Sequence, residues 1–240
     1  MARYGTVETL TDVVQAVEGA TDAFRVTLAG GHSIDARRLI LAHGVRDVLP
    51  DLPGVAEAWG RTLLHCPYCH GHEVRNRPLA VLAVHPMAGH QATMLRADWS
   101  ADVTLLTGSG AEIDLSHIGA GHVAVDARPL TALRSDGDSI SATFADGSSA
   151  TFAAIFTQPR VALNGTPATM LGCALADGPL GQFVRVGPMG QTSVPGVFAA
   201  GDCARPGHSV TLALGDGAAA GTGCHQSLLF PEMIQPLETA

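Results

Sequence analysis

The chain has few aromatic residues, only 5% of its 240 positions being Trp, Tyr or Phe. Charge is scarce too, at 15%, and the basic share is small: 14 Lys and Arg against 22 Asp and Glu. A net charge of −8 and the lack of any basic run exclude nucleic acid and anionic membrane surfaces as natural partners. The longest run free of Asp, Glu, Lys and Arg, residues 78–95, is interrupted by Pro86, two histidines and a glutamine, so no hydrophobic run reaches the ~18 residues that a bilayer-spanning helix requires. Met1-Ala2-Arg3-Tyr4-Gly5 leads into no hydrophobic signal core, so secretion is not indicated. The five cysteines follow no disulfide-scaffold spacing, and a cytosolic setting is expected.

Small apolar residues are plentiful instead. Hydrophobic residues make up 46% of the chain, enough for a substantial core, and 28 Gly with 14 Pro imply many tight turns. That composition favours an α/β architecture, and the length suits one large domain or two small ones.

Thr6 to Ala42 reads as β-rich, with alternation in Phe24 to Leu28, a turn at Ala29-Gly30-Gly31, and a short apolar strand at Leu39 to Ala42 that ends in His43-Gly44. Pro50 to Gly54 reads as a surface turn. Leu79 to Val84 is a buried strand, Ala88 to Trp99 has helical spacing with Ala92, Leu95 and Trp99 on one side, and Asp102 to Leu106 is a strand. This is a βαβ unit and implies a parallel sheet. Ser139 to Phe144 and Thr151 to Phe156 flank a turn. Val197 to Ala200 is a buried strand running into Gly201-Asp202, and His208 to Leu229 is a Gly/Ala-rich helix.

Cys66-Pro67-Tyr68-Cys69-His70-Gly71 stands apart because its residue types suit chemistry better than packing. Two cysteines separated by two residues can close a small redox ring, and the adjacent histidine can exchange protons near neutral pH. A bare Cys-x-x-Cys also serves structural and metal-binding roles. A zinc site calls for a second ligand pair at matching spacing, whereas Cys173, Cys203 and Cys224 stand singly. His85, His90, His117 and His122 read as surface or core residues rather than ligands.

With these residues in view, the chain resembles the low-molecular-weight thioredoxin reductase-like flavoproteins. Leu39-Ile40-Leu41-Ala42-His43-Gly44 is similar to the family's strand ending in Ala-Thr-Gly. Cys66 to Glu73 has the form found in dithiol oxidase-type members, and Thr192 to Asp202 resembles the second FAD-binding motif. The resemblance implies two Rossmann-like, three-layer α/β domains: an FAD-binding part of residues 1–65 and 161–240, and a nicotinamide-type part of residues 66–160 carrying the dithiol. It implies FAD as cofactor, with Gly44, Gly201 and Asp202 at its site, Asp202 accepting from ribityl hydroxyls, and the following helix pointing its amides at the flavin or pyrophosphate. Cys69 would be the flavin-facing, charge-transfer thiolate and form the flavin adduct. Cys66 would exchange with substrate, and His70 would serve as base and acid, with help from His72. A homodimer is expected from the relatives.

Two departures shape the functional expectation. No strand–GxGxxG–helix unit precedes Tyr4, so the FAD part is expected to lack its first βαβ unit through truncation, a misplaced start, or loss of autonomous flavin binding. The nicotinamide loop reads His85-Pro86-Met87-Ala88-Gly89-His90, without the glycines that let backbone approach a pyrophosphate, and Pro86 removes a donor. Thr104 to Gly110 contains no arginine for the 2′-phosphate of NADPH. The expected function is therefore FAD-dependent oxidation of a small-molecule dithiol, with dioxygen as final acceptor. An NADPH-dependent reductase acting on a thioredoxin-like disulfide, and a flavin-free binding subunit, are the alternatives.

Overall fold

The computed structural model describes residues 4–109, 113, 115, 118, 123–233 and 237. The chain opens with an antiparallel meander of β1 (Val14–Ala20), β2 (Ala23–Leu28) and β3 (Ser33–Ala36). β4 (Leu39–Leu41), β5 (Val45–Val48), the one-turn helix α1 (Val55–Ala58), β6 (Leu63–Leu64) and the one-turn helix α2 (Pro67–His70) follow. Then come β7 (Leu79–Leu82), α3 (Ala88–Asp98), β8 (Val103–Leu106) and β9 (Ala124–Asp126). β10 (Leu130–Asp136), β11 (Ser139–Phe144) and β12 (Ser149–Phe152) form a second antiparallel meander ahead of β13 (Ala154–Phe156). The last stretch holds β14 (Arg160–Leu163), α4 (Pro167–Met170), the hairpin of β15 (Leu175–Asp177) and β16 (Gln182–Val184), β17 (Val197–Ala199) and α5 (Val210–Leu229).

Two compact units result, one of residues up to 46 and from 161 onward, the other of residues 47–160. In the second unit a five-stranded sheet runs β6-β13-β7-β8-β9, and each neighbouring pair is parallel. Strand periodicity divides its side chains between two faces. Leu79, Val81, Leu105 and Phe156 pack with Ala88, Ala92 and Leu95 of α3. Ala80, Leu82, Leu106 and Ile155 pack with Val55 and Ala58 of α1 and with Leu133, Ile140 and Phe144 of the meander. Helix, parallel sheet and antiparallel sheet make three layers. The segment 47–65, placed by the sequence reading with the first part of the chain, supplies Val55, Ala58 and Leu63 to this core.

The first unit repeats the plan in small. β4 and β17 pair in parallel. One side of that pair packs on Phe24 of the meander and on Ala168, Cys173 and Val184, while Phe198 and Ala200 face Ala220 of α5.

Two expectations change at this level. Thr151 to Phe156 is not one strand. It divides at Ala153, whose amide donates to the Pro78 carbonyl (2.8 Å), so β12 stays in the meander while β13 enters the parallel sheet. Pro50 to Gly54 is not a free turn either. The Leu133 amide donates to the Pro53 carbonyl (2.8 Å), and Gly54, at φ 86°, lies so close to the Leu133 carbonyl that a Cβ would overlap it. Only glycine combines that dihedral with that approach.

Arg38 ties α5 to the meander in the first unit. Its side chain is 2% exposed. It donates from Nε to Ser227 Oγ (2.9 Å), from Nη2 to the Ser227 carbonyl (2.9 Å), and from Nη1 to Asp22 (2.8 Å) and the Arg37 carbonyl (2.7 Å). The Ser227 carbonyl belongs to the last turn of α5, where no helical donor remains. Replacing Arg38 by Ala strands these acceptors and is expected to lower stability by about 2–3 kcal/mol in urea unfolding, whereas exposed Arg25→Ala, which breaks only the surface pair with Asp35, should cost less than about 1 kcal/mol.

Candidate functional site

In the parallel sheet of the second unit every strand ends at the same edge, where α/β proteins place their ligands. β6 delivers His65 and Cys66 there, and Cys66 turns the chain into α2. Its backbone is extended, Pro67 occupies the first helical turn without needing a donor, and the amides of Cys69 and His70 both reach the Cys66 carbonyl (3.1 and 3.2 Å). Cys66 and Cys69 are joined in a disulfide with a Cα separation of 5.3 Å, inside the range a disulfide accepts. Cys66 is half-buried, whereas Cys69 and His70 are exposed and Tyr68 between the cysteines is 78% exposed. A thiolate arriving from solution can reach this bond.

The two nearby histidines are not equivalent. Arg75 Nη1 lies 2.6 Å from His72 Nε2 and also donates to the His72 carbonyl (2.8 Å). A guanidinium only donates, so this bond uses the lone pair of His72 Nε2. His70, next to Cys69, is therefore better placed than His72 to take up a proton.

Behind the turn stands α3. Gln91 Nε2 donates to the His65 carbonyl (2.7 Å). Gly71 closes α2 so tightly that a Cβ there would come within 2.6 Å of both the Pro67 carbonyl and the Trp99 ring. Neither contact is visible in the spacing of the cysteines. The available signal is a glutamine on the apolar side of a helix, at 91 between buried Ala88, Ala92 and Leu95.

The nicotinamide-type loop leaves the same edge after β7. His85 is buried, and its Nδ1 accepts from the Met87 amide (3.2 Å), while the Ala88 amide donates to the His85 carbonyl (2.9 Å). Pro86 has no N–H, and the Met87 and Ala88 amides are both bonded to His85, so three successive positions ahead of and at the start of α3 offer no free donor to a phosphate. Beyond β8, Ser109 Oγ donates to the Ala83 carbonyl, and a Cβ on Gly108 would overlap the Arg128 carbonyl. Arg128 itself is committed to Asp126 and lies 3.9 Å over the Phe144 ring. His90 is exposed, and His117 and His122 lie outside the described residues.

In the first unit the parallel pair β4/β17 sets up a second polar edge. Leu41 stands opposite Ala199, so His43-Gly44 and Gly201-Asp202 emerge side by side, and both glycines have positive φ (67° and 74°). Both ring nitrogens of His43 and Oδ1 of Asp202 are buried without a hydrogen-bond partner among the described residues. Burial pushes the His43 pKa below its ordinary value near 6.5, partly opposed by the backbone at Gly44 and Asn164. The Gly/Ala-rich helix expected over His208 to Leu229 is α5, and a separate turn lies between it and Gly201-Asp202. Asp202 sits in a 3-10 turn (Gly201–Ala204), Arg205 is extended, Pro206-Gly207 interrupts, and α5 starts only at Val210 with Ser209 as its cap. Among the described residues no cluster of three His, Cys, Asp or Glu could hold a metal ion, and no helix is long and apolar enough to cross a membrane.

No protein-family model matches the chain. Among curated proteins it is 35% identical to thioredoxin reductase tcpT of Claviceps purpurea, over 91% of this chain and 70% of that protein. Thioredoxin reductase sirT of Leptosphaeria maculans is 31% identical, over 95% and 75%. The chain belongs to the thioredoxin reductase-like FAD-dependent oxidoreductases. Among solved structures, an oxidoreductase from Agrobacterium tumefaciens superposes with a TM-score of 0.88 at 40% identity, covering 96% of this chain and 77% of that one. HlmI superposes at 0.84 with 37% identity, covering 95% and 72%. The two-domain α/β fold of thioredoxin reductases, inferred from the sequence, is the fold of this member of the family.

Two outcomes test this geometry. Because burial favours neutral His43 in the fold, its contribution to stability is present above the unfolded value near 6.5 and is lost as pH falls through the lower folded value. Thermal melts between pH 7.5 and 5.5 should fall less steeply for His43→Thr than for the parent chain. Gly71→Ala must push α2 away from Trp99, and unfolding titrations should register a loss of roughly 1–3 kcal/mol, the usual range for overpacking.

Proposed function

We propose that the chain is an FAD-dependent dithiol oxidase that works through the Cys66–Cys69 disulfide on a small-molecule dithiol. One observation carries this reading: an accessible disulfide shares one sheet edge with a nucleotide-type loop in which Pro86 has no amide donor and the Met87 and Ala88 amides are bonded to His85. The family supplies disulfide chemistry, and the loop argues for thiols rather than NADPH as the source of electrons.

A substrate thiolate attacks Cys66 Sγ, forming a mixed disulfide and releasing Cys69 as thiolate. The second substrate thiolate then attacks the substrate sulfur of that mixed disulfide, closing the substrate's own disulfide and releasing Cys66. The two protons lost by the substrate pass to His70 and the departing thiolates. The substrate is thereby oxidised by two electrons, and the Cys66/Cys69 pair is reduced by the same two.

The unit of residues up to 46 and from 161 is the part proposed to hold the flavin. Its fit is chemical: the unpartnered Asp202 Oδ1 and the His43 ring nitrogens supply an acceptor and a donor for a polyhydroxylated chain, and Gly44 and Gly201 keep side chains off that edge. When bound there, FAD supplies the two-electron acceptor for the reduced pair, with dioxygen as final oxidant. Exposed apolar side chains on α5, among them Val210 and Leu214, support the homodimer that the resemblance implies.

The test is an anaerobic mixing experiment with the chain loaded with FAD. Dithiothreitol should bleach the flavin bands, and NADPH should not. Cys69→Ser should slow bleaching at least ~100-fold while leaving flavin content unchanged. Bleaching by NADPH alone would make the chain a nucleotide-dependent reductase, and failure to take up FAD would remove the flavin from the proposal.

A further inference from the structure

We propose that Gln91 is a positioning residue for the dithiol, setting the redox poise of the Cys66–Cys69 pair through the carbonyl of His65. The inference rests on the redox role proposed for that pair.

Gln91 is 1% exposed on the face of α3 that carries Ala88, Ala92 and Leu95. Its Nε2 donates to the His65 carbonyl at 2.7 Å, one residue before Cys66, while its Oε1 is buried with no partner among the described residues. A buried amide with an unpaired acceptor is a net cost, and an apolar side chain of the same shape would avoid it. What the amide provides is a fixed point at the start of the dithiol turn. On its other sides the turn is held by the sheet through Leu64 and by the Trp99 ring against Gly71. α2 is a single helical turn whose N-cap has no side-chain bond, and Cys69 and His70 are exposed.

The direction of the effect follows from which redox state depends on the clamp. An intact disulfide holds its own turn closed at a Cα separation of 5.3 Å. The reduced pair has no such tether, and its two sulfurs stay in reach of each other as far as the backbone is held at both ends of the turn, at His65 and Cys66 by Gln91 and at Gly71 by Trp99. Releasing the clamp frees the reduced form more than the oxidised one. The pair should then become easier to reduce and slower to close again, because the effective concentration of one thiol at the other falls.

The test equilibrates the full-length chain with mixtures of reduced and oxidised dithiothreitol and counts the free thiols after quenching with a maleimide. In this exchange the Cys66–Cys69 disulfide takes two electrons and two protons from the reduced reagent, which closes to its cyclic disulfide. Gln91→Leu and Gln91→Met, either sufficing if the other fails to fold, should raise the equilibrium constant for reduction at least threefold, about 14 mV. Their melting temperatures should stay close to that of the parent, since the unpaired Gln91 acceptor is removed while the His65 carbonyl loses its donor. An unchanged equilibrium constant in the folded variants, whatever the melting temperature does, would show Gln91 to be structural and overturn the inference. Should the parent pair itself fail to exchange with dithiothreitol, the redox role beneath the inference would fall instead.

Discussion

Thr157 holds the edge on which the dithiol stands. It follows β13, is fully buried, donates its amide to the Leu64 carbonyl at the end of β6 (2.8 Å), and donates its hydroxyl to the Leu82 carbonyl at the end of β7 (3.0 Å). Three adjacent parallel strands are thereby tied at their C-terminal ends by one side chain and its own backbone. Leu64 is two residues from Cys66 and Leu82 three from His85, so the dithiol turn and the closed nucleotide-type loop both hang from this fixture. β13 also separates β6 from β7. The chain must therefore cross it between residues 65 and 78, and the dithiol turn is the first step of that crossing.

The crossing explains why so short a helix can carry chemistry. Four residues cannot hold a conformation by their own hydrogen bonds. α2 is held from outside, by the sheet through Leu64, by α3 through Gln91, and by the Trp99 ring through the bare backbone of Gly71. At the start of α3 the Met87 and Ala88 amides are bonded to His85, and its buried face packs on the sheet while Gln91 reaches the His65 carbonyl.

Much of this was legible in the sequence because the signals are local. The βαβ unit from Leu79 to Leu106, the Gly201-Asp202 strand end and the redox pair each announce themselves within a dozen residues. What the sequence hides depends on partners far along the chain. The break at Ala153 is set by Pro78, the closeness of Gly54 by Leu133, and the role of Gln91 by a carbonyl 26 residues earlier. Thr151 to Phe156 carries no glycine, proline or polar turn residue at its break, so nothing local marks the change of sheet.

The five cysteines show how the fold confines reactivity to one pair. Burial pushes the thiols of Cys173, Cys203 and Cys224 up, so they remain protonated near neutral pH. Cys203 also donates to the Leu41 and Ala200 carbonyls (3.4 and 3.3 Å), which fastens it beneath the edge bearing His43 and Asp202. A protonated, enclosed thiol is a poor nucleophile, and a poor partner for a disulfide that must open and close repeatedly. Cys66, half-buried as Cys224 is, and exposed Cys69 differ in being joined to each other with a histidine alongside. A disulfide oxidoreductase has to pass electrons through one pair of sulfurs without scrambling them among others. In this chain depth keeps Cys173 and Cys203 apart from the pair.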